Sequence, residues 1–361
     1  MALILQNKLL GVIKEDIRNI TKSKLTDLLK KENIKAYQIS QIYDWLWVKG
    51  VSDFSEMSNI SKELREWLNS KFIINSTILK EVYTSIDTTI KVAFQLHDKR
   101  LVEGVLIPSG ERVTACISSQ TGCGLNCAFC ATAKITDFRN LTAGEIFDQF
   151  VLLNKLSVER YGYKLTNIVM MGMGEPLLNL ENLKRAIVEF TSPKGINFSP
   201  RRITVSTVGI SKFIKELADA GLNVDLAISL HSAIEQKRKT IIPYSKSDSL
   251  NRLSEAIKYF YEKTHNRPTI EYLLLKNFND SITDAEELAK FCRSFPCKVN
   301  LIEYNSTDDS RFSKTTHETL KDFKDFLHSK NMVVNLRTSR GTDINAACGQ
   351  LVNKNLSKKA N

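Results

Sequence analysis

Apolar positions recur at helical spacing early in the chain, with Leu25, Leu28 and Leu29 in one stripe and Ile42, Trp45 and Leu46 in another, the period of amphipathic helices. Lys22, Lys24, Lys30, Lys31 and Lys35 cluster on the polar side. Residues 1–80 are therefore predicted to form a small helical domain with a basic face. From Thr88 the period shortens to two: Ile90, Val92 and Phe94 alternate up to a turn at Asp98, and Leu101–Ile107 then runs apolar to Pro108-Ser109-Gly110. Residues 81–112 read as a β-extension of two hairpins. Beyond Val113, short apolar segments alternate with amphipathic stretches: Ala115–Ser118, Ile168–Met171, Ile203–Ser206, Leu226–Leu230, Ile270–Leu275, Val299–Ile302 and Val333–Leu336. That alternation implies an α/β core over residues 113–350, built on a parallel sheet or a partial barrel. Thr142 and Glu145 mark one helix start as a capping box. Residues 351–361 make a short basic tail.

Composition narrows the class. With 361 residues, 42% hydrophobic and 25% charged, the chain can bury a core and is not disordered. The surplus of 51 Lys and Arg over 40 Asp and Glu, a net +11, favours a polyanionic partner, with nucleic acid first. Seven cysteines in so long a chain exclude a disulfide scaffold. Leu3 to Leu5 is followed at once by polar and basic residues, so no secretory signal is read and a cytoplasmic protein is expected. The uncharged stretch Val113 to Ala133 contains Ser118, Ser119, Gln120, Thr121 and Asn126, which is a polar loop and not a membrane span. Its cysteines, in a reducing compartment, are expected to bind metal or react.

The candidate chemistry is concentrated in that loop. Cys123, Cys127 and Cys130 stand in Gly-Cys-Gly-Leu-Asn-Cys-Ala-Phe-Cys directly after the first core strand. Soft thiolates at this spacing select an iron–sulfur cluster or zinc, both of which normally take four ligands. Three thiolates around a cubane leave one iron open for a substrate, whereas structural zinc would need a further donor such as Cys116.

The Cys-x3-Cys-x2-Cys spacing, with an aromatic before the last Cys, resembles the radical S-adenosylmethionine (SAM) superfamily. More narrowly, Cys116-Ile-Ser-Ser-Gln-Thr-Gly-Cys123, Met171-Gly-Met-Gly-Glu-Pro176, Ser199-Pro-Arg-Arg202, Ser229-Leu-His231 and Ala346-Ala-Cys-Gly-Gln350 together resemble the RlmN family of dual-specificity RNA adenine-C2 methyltransferases. Five elements in order over residues 85–352 are far more specific than any one of them. The resemblance implies a partial (β/α)6 radical SAM barrel with the β-hairpin extension and the helical domain as additions. It implies a [4Fe–4S] cluster on Cys123, Cys127 and Cys130 whose open iron takes SAM.

Gly174, Glu175, Ser206, Ser229, Leu230, His231 and Asn305 then correspond to SAM contacts; each follows or ends a strand candidate, where such enzymes gather their ligands. By the same resemblance Cys348 is methylated by a first SAM, a radical from a second SAM abstracts hydrogen from that methyl group, and the carbon adds to C2 of adenine. Cys116 then resolves the RNA–enzyme adduct through a disulfide with Cys348, and Glu103 corresponds to the proton acceptor. Cys292 and Cys297 match no functional position. The implied substrates are adenosine 2503 of 23S rRNA and adenosine 37 of tRNAs, and an electron donor such as flavodoxin or ferredoxin is required. No membrane partner is expected, and a monomer is.

Arg201, Arg202, the lysine-rich domain and the tail offer phosphate contacts; Trp45, Trp47 or Tyr43 could stack on exposed bases, although tryptophans at helical spacing are more often core. Two alternatives stay open at this level. One is a C8 methyltransferase of the same family, against which Met171–Asn179 and Ile270-Glu-Tyr272 resemble the C2 group more closely. The other is a non-catalytic zinc adaptor that binds RNA.

Overall fold

The amphipathic stripes of the amino-terminal region become helices α1 (Lys22–Lys31), α2 (Ala36–Asp44) and α3 (Lys62–Lys71). The structure, a computed structural model, describes residues 14–306 and 311–352. Leu3–Leu5 and the tail from Asn353 lie outside them. Thr21 caps α1 by accepting from the Lys24 N–H, and the helix buries Leu25 and Leu29 while its lysines face solvent. α2 runs into a π-helical turn, Trp45–Lys49, stopped by Gly50 in the left-handed region. Trp47, four positions after Tyr43 on the same face, points inward, where its ring meets Phe147 edge-on at 5.2 Å. Trp47 and Tyr43 are core residues, the commoner place for aromatics at helical spacing, so neither is available to stack on a base. Trp45 stays half-buried, with the Lys49 ammonium 3.5 Å from its ring centre.

The helical region is clamped to the rest of the molecule. Strand β1 (Glu15–Asp16) pairs in parallel with β2 (Phe72–Ile73). Arg18, almost fully buried, forks onto both oxygens of Asp148 and donates to the Asn75 carbonyl at 2.9 Å. Arg185 reaches the Arg18 and Asn19 carbonyls at 2.7 and 3.0 Å. Breaking such a buried ion pair from one side would cost several kcal/mol, about 3–5.

The remaining strands are β3 (Ile78–Thr84), β4 (Ile90–Gln95), β5 (Leu101–Ser109), β6 (Arg112–Cys116), β7 (Asn167–Met170), β8 (Ile203–Thr207), β9 (Asp225–Ser229), β10 (Thr269–Leu274), β11 (Lys298–Glu303) and β12 (Val334–Arg337). They form one ten-stranded sheet in strictly sequential order. β3 to β6 are antiparallel neighbours and β6 to β12 are parallel. The crossovers carry α4 (Ala143–Tyr161), α5 (Leu180–Thr191), α6 (Ser211–Asp219), α7 (Glu235–Ile241) with α8 (Leu250–Thr264), α9 (Ile282–Cys292) and α10 (His317–Ser329). Thr142 and Glu145 cap α4 as read from the sequence. Ile168, Val205, Ile228, Ile270 and Leu301 are fully buried, as expected of parallel strands covered on both faces. This is the partial (β/α)6 barrel, extended by β12 as a seventh parallel strand and by the hairpins on its other edge. Among the described residues no helix is long and apolar enough to cross a membrane.

Both sheet edges, β12 and β3, are bridged by the segment that follows β12. The Gly341 N–H donates to Asp87 at 3.0 Å, and Asp343 accepts from the Ser85 hydroxyl and from the Ile86 N–H at 3.1 Å, tying the segment to the β3–β4 turn. It then reaches the cysteine loop, where Ala131 N–H donates to the Gly349 carbonyl at 2.8 Å and the Thr132 hydroxyl to that of Leu351 at 2.7 Å.

Candidate active site

The cysteine loop leaves β6 along a bed supplied by β7. Ile117 donates to Val169, and Ser119 and Gln120 both donate to the Met173 carbonyl, at 3.1, 2.9 and 3.2 Å. Gly174 makes this approach possible: its φ is +101°, and a Cβ there would lie 2.6 Å from the Cβ of Gln120, closer than any side chain tolerates. On the far side the loop is pinned by Arg139, which donates to Asp98 at 2.7 Å and to both Glu145 oxygens at 2.8 Å.

Cys123, Cys127 and Cys130 line one cavity at the carboxyl ends of the parallel strands, together with Gly174, Glu175, Ser206, Ser229, His231 and Asn305. Burial pushes the Cys123 thiol up to about 12 and raises Cys127 and Cys130 as well. Three such sulfurs ionise together only beside strong positive charge, which iron supplies. Glu175 is buried and pushed up to about 7 by desolvation, while its oxygens accept from the Leu177 and Val208 N–H groups at 3.0 and 2.9 Å. The Asn305 amide nitrogen is buried without a hydrogen-bond partner, an unmet donor at a cavity wall.

His231 sits in the left-handed region, φ +57°, with its ring edge-on to Phe129 at 4.7 Å. Its Nδ1 accepts from the Leu273 N–H at 3.0 Å, and burial lowers its pKa to about 3. The ring is therefore neutral with its proton on Nε2, a donor and not a base. Leu230 does not line the cavity. It is fully buried, its N–H is committed to the Ile228 and Glu271 carbonyls, and its own carbonyl accepts from Arg238. Of the residues read as SAM contacts, Leu230 is the one the structure sets apart.

Cys116 lies elsewhere, in a smaller cavity with Ile107, Met171, Arg337, Ala346, Ala347 and Cys348. It is thus not a fourth ligand beside the loop cysteines. Burial pushes its thiol up to about 12. Cys348 is exposed, unbonded, and lines both cavities. Glu103 lines a third cavity with Tyr83, Lys91, Asn345 and Val352. Desolvation pushes it up to about 7, against the pull of Lys91.

Three charged residues at these cavities escaped the sequence reading. Arg337 reaches into the first two cavities, with one nitrogen 3.4 Å from the Met171 sulfur and 3.8 Å from Glu271. Cys348 and Cys116, were their thiols ionised, would face the positive charge of Arg337 together with Glu271. Both Arg337 and Glu271 belong to parallel strands, and Arg337 ends β12, so the strand-end rule had the means to find it. Lys91 stands between Ile90 and Val92 in an alternating strand, and nothing local in the sequence marks it as the partner of Glu103.

Residues 117–292 match the radical SAM superfamily, and residues 15–74 match the ribosomal RNA large subunit methyltransferase N-terminal domain. A solved radical SAM methyltransferase from Sphaerobacter thermophilus superposes with a TM-score of 0.87 at 36% identity, covering 93% of this chain and 99% of that one. Fold and site thus define a radical SAM enzyme, a SAM-dependent RNA methyltransferase. A probable dual-specificity RNA methyltransferase RlmN of Christiangramia forsetii is 47% identical over 94% of this chain and 97% of its own length. That of Flavobacterium psychrophilum is 46% identical over 95% and 99%, and that of Chlorobaculum tepidum 42% over 94% and 93%. The chain belongs to the RlmN family. Its cofactors are a [4Fe–4S] cluster and SAM, and the zinc reading is set aside.

Proposed function

We propose that this protein methylates C2 of adenosine 2503 in 23S rRNA and of adenosine 37 in tRNAs, consuming two SAM per methyl group transferred. The observation that carries this reading is the position of Cys348, which faces the cavity of the three loop cysteines on one side and that of Cys116 on the other. A thiol so placed can receive a methyl group in the first cavity and be resolved in the second.

In this reading Cys123, Cys127 and Cys130 hold the cluster. Gly174, Glu175, Ser206, Ser229, His231 and Asn305 hold SAM, with the Glu175 carboxylate on its ammonium and the Asn305 and His231 donors on its polar groups. When bound, cluster and SAM supply a 5′-deoxyadenosyl radical. Cys348 attacks the methyl group of a first SAM by polar displacement, with S-adenosylhomocysteine leaving. Its S-methyl group, having lost a hydrogen atom to the 5′-deoxyadenosyl radical, adds as a carbon radical to C2 of adenine; the adduct must then give up one electron, for which the oxidised cluster would be the acceptor. Glu103 takes the C2 proton. Cys116 then forms a bond to the Cys348 sulfur as the carbon–sulfur bond breaks, and the released methylene carbon takes a proton.

The exposed lysines of α1 and Arg201 and Arg202 supply phosphate contacts. Trp45 alone of the three aromatics read for stacking retains an accessible ring. The protein works in the cytoplasm as a monomer, reduced by a flavodoxin- or ferredoxin-type donor. Nucleoside mass spectrometry of RNA from cells with and without the protein tests the assignment. 2-Methyladenosine should disappear with the protein; loss of 8-methyladenosine alone would make it the C8 enzyme instead.

A further inference from the structure

We propose that Lys91 is the positioning residue that prepares Glu103 for proton transfer, pairing with one oxygen of its carboxyl group and leaving the other to take the proton. The inference rests on the reading that Glu103 takes the C2 proton, and deepens it.

Lys91 and Glu103 come from neighbouring antiparallel strands whose register pairs Ala93 with Glu103 and Lys91 with Val105. They are therefore diagonal neighbours on one sheet face. The Lys91 ammonium lies 3.5 Å from Oε1 of Glu103, and the two side chains are only 11% and 5% exposed. A lysine is seldom buried so deeply without a specific partner. The other carboxylate oxygen, Oε2, is buried and accepts no hydrogen bond, which leaves one oxygen held and one available for a proton.

The groups facing Glu103 across its cavity are Glu81 and Tyr83 of β3, Lys91 of β4 and Asp343 and Asn345 of the closing segment, while Val352 donates its N–H to the carboxylate. Cys116 stands across Val105 on β6. Among the described residues Lys91 is the only cation lining this cavity. Glu81 raises the carboxyl's proton affinity and Lys91 lowers it against burial. Without Lys91, Glu103 would hold its proton through neutrality and could not act as a base there. A base is most effective when its own proton affinity matches the working pH.

The experiment compares Lys91→Met, Lys91→Gln, Lys91→Arg and Glu103→Gln in the cluster-loaded enzyme. It measures the fraction of enzyme trapped as covalent RNA adduct as a function of pH. In Lys91→Met the midpoint for adduct release should move up by about 1–3 pH units, as expected for loss of an opposite charge at this distance. Lys91→Gln should do the same and serves where the Met variant does not fold. Lys91→Arg should return the midpoint close to that of the unmodified protein. A Met or Gln variant with an unchanged midpoint, or an Arg variant shifted as far as they are, would overturn the inference. Glu103→Gln separates the two layers. It should trap the adduct at every pH, and if it releases RNA normally the base reading itself fails. If Glu103→Gln traps the adduct and the Lys91 profiles do not move, only the role of Lys91 falls.

Discussion

Two thiol-bearing segments meet at the centre of this molecule, and they are built in opposite ways. The cysteine loop is fixed along its length: it lies on β7 through Ile117, Ser119 and Gln120, and Arg139 fastens its return to Asp98 and Glu145. The closing segment is held at its ends, to the β3–β4 turn by Gly341 and Asp343 and to the cysteine loop by Gly349 and Leu351. Between those anchors it passes through left-handed residues at Gly341, Asn345 and Gly349 and leaves Cys348 exposed. Holding a cluster demands three sulfurs in one unchanging constellation. On the function proposed for Cys348, carrying a methyl group from one cavity to the other would demand a thiol that can turn between them.

The sharpest way to break this comparison is to exchange the fates of the two kinds of cysteine. Cys348→Ala is expected to abolish RNA methylation completely while iron and sulfide content stay at the unmodified level. Cys127→Ala is expected to lose both. Elemental analysis and nucleoside mass spectrometry read the two outcomes, and residual methylation by Cys348→Ala would show that the segment does not carry the methyl group.

Arg139→Met tests whether the loop owes its rigidity to the clamp. It strips the main partner from Glu145, whose side chain is 1% exposed, and a loss of about 2–3 kcal/mol is expected from an uncompensated buried charge, softened by His97 nearby. Denaturant melts measure the loss, and reduced iron uptake at equal protein should accompany it.

A smaller effect is expected from Glu175→Gln in the cofactor-free protein. Burial raises Glu175 from 4.5 to about 7 in the fold, so its protonated form favours the folded state. That contribution is fully present below pH 4.5 and is lost as pH rises through about 7. The Gln variant should therefore show a flatter fall in stability across this window. Melting temperatures at half-unit intervals would detect the difference, and identical slopes would show that Glu175 is ionised throughout. Asp343→Ala should change global stability least. It frees the end of the closing segment, so faster amide exchange at residues 341–349 is the expected signal, with the cysteine loop unaffected.

Much of this was legible in the linear chain for definite reasons. The strand candidates from Ile168 onward fall within one residue of β7 to β12, and the first, Ala115–Ser118, starts three residues late on β6; the short apolar segments mark the strands because each must bury at least one face. The three loop cysteines share a cavity because their spacing places them on a single turn of chain. Trp47 continues the buried stripe of Ile39, Ile42, Tyr43 and Leu46, so its inward face follows the helical period, whereas its edge-on partner Phe147 is set only by the packing of α4.

The order of apolar runs and the sulfur spacing by themselves determined a parallel α/β core with a soft-metal loop at its first strand, since both depend on contacts between residues close in sequence or on a repeating period. Which charges stand beside Cys116, Cys348 and Glu103 was decided only by the tertiary structure. Arg337 is 221 positions beyond Cys116 by the difference in their numbers, and Lys91 meets Glu103 only through the register of two antiparallel strands. Electrostatic coupling depends on distance through space and on burial, and neither exists until the sheet has closed around the site.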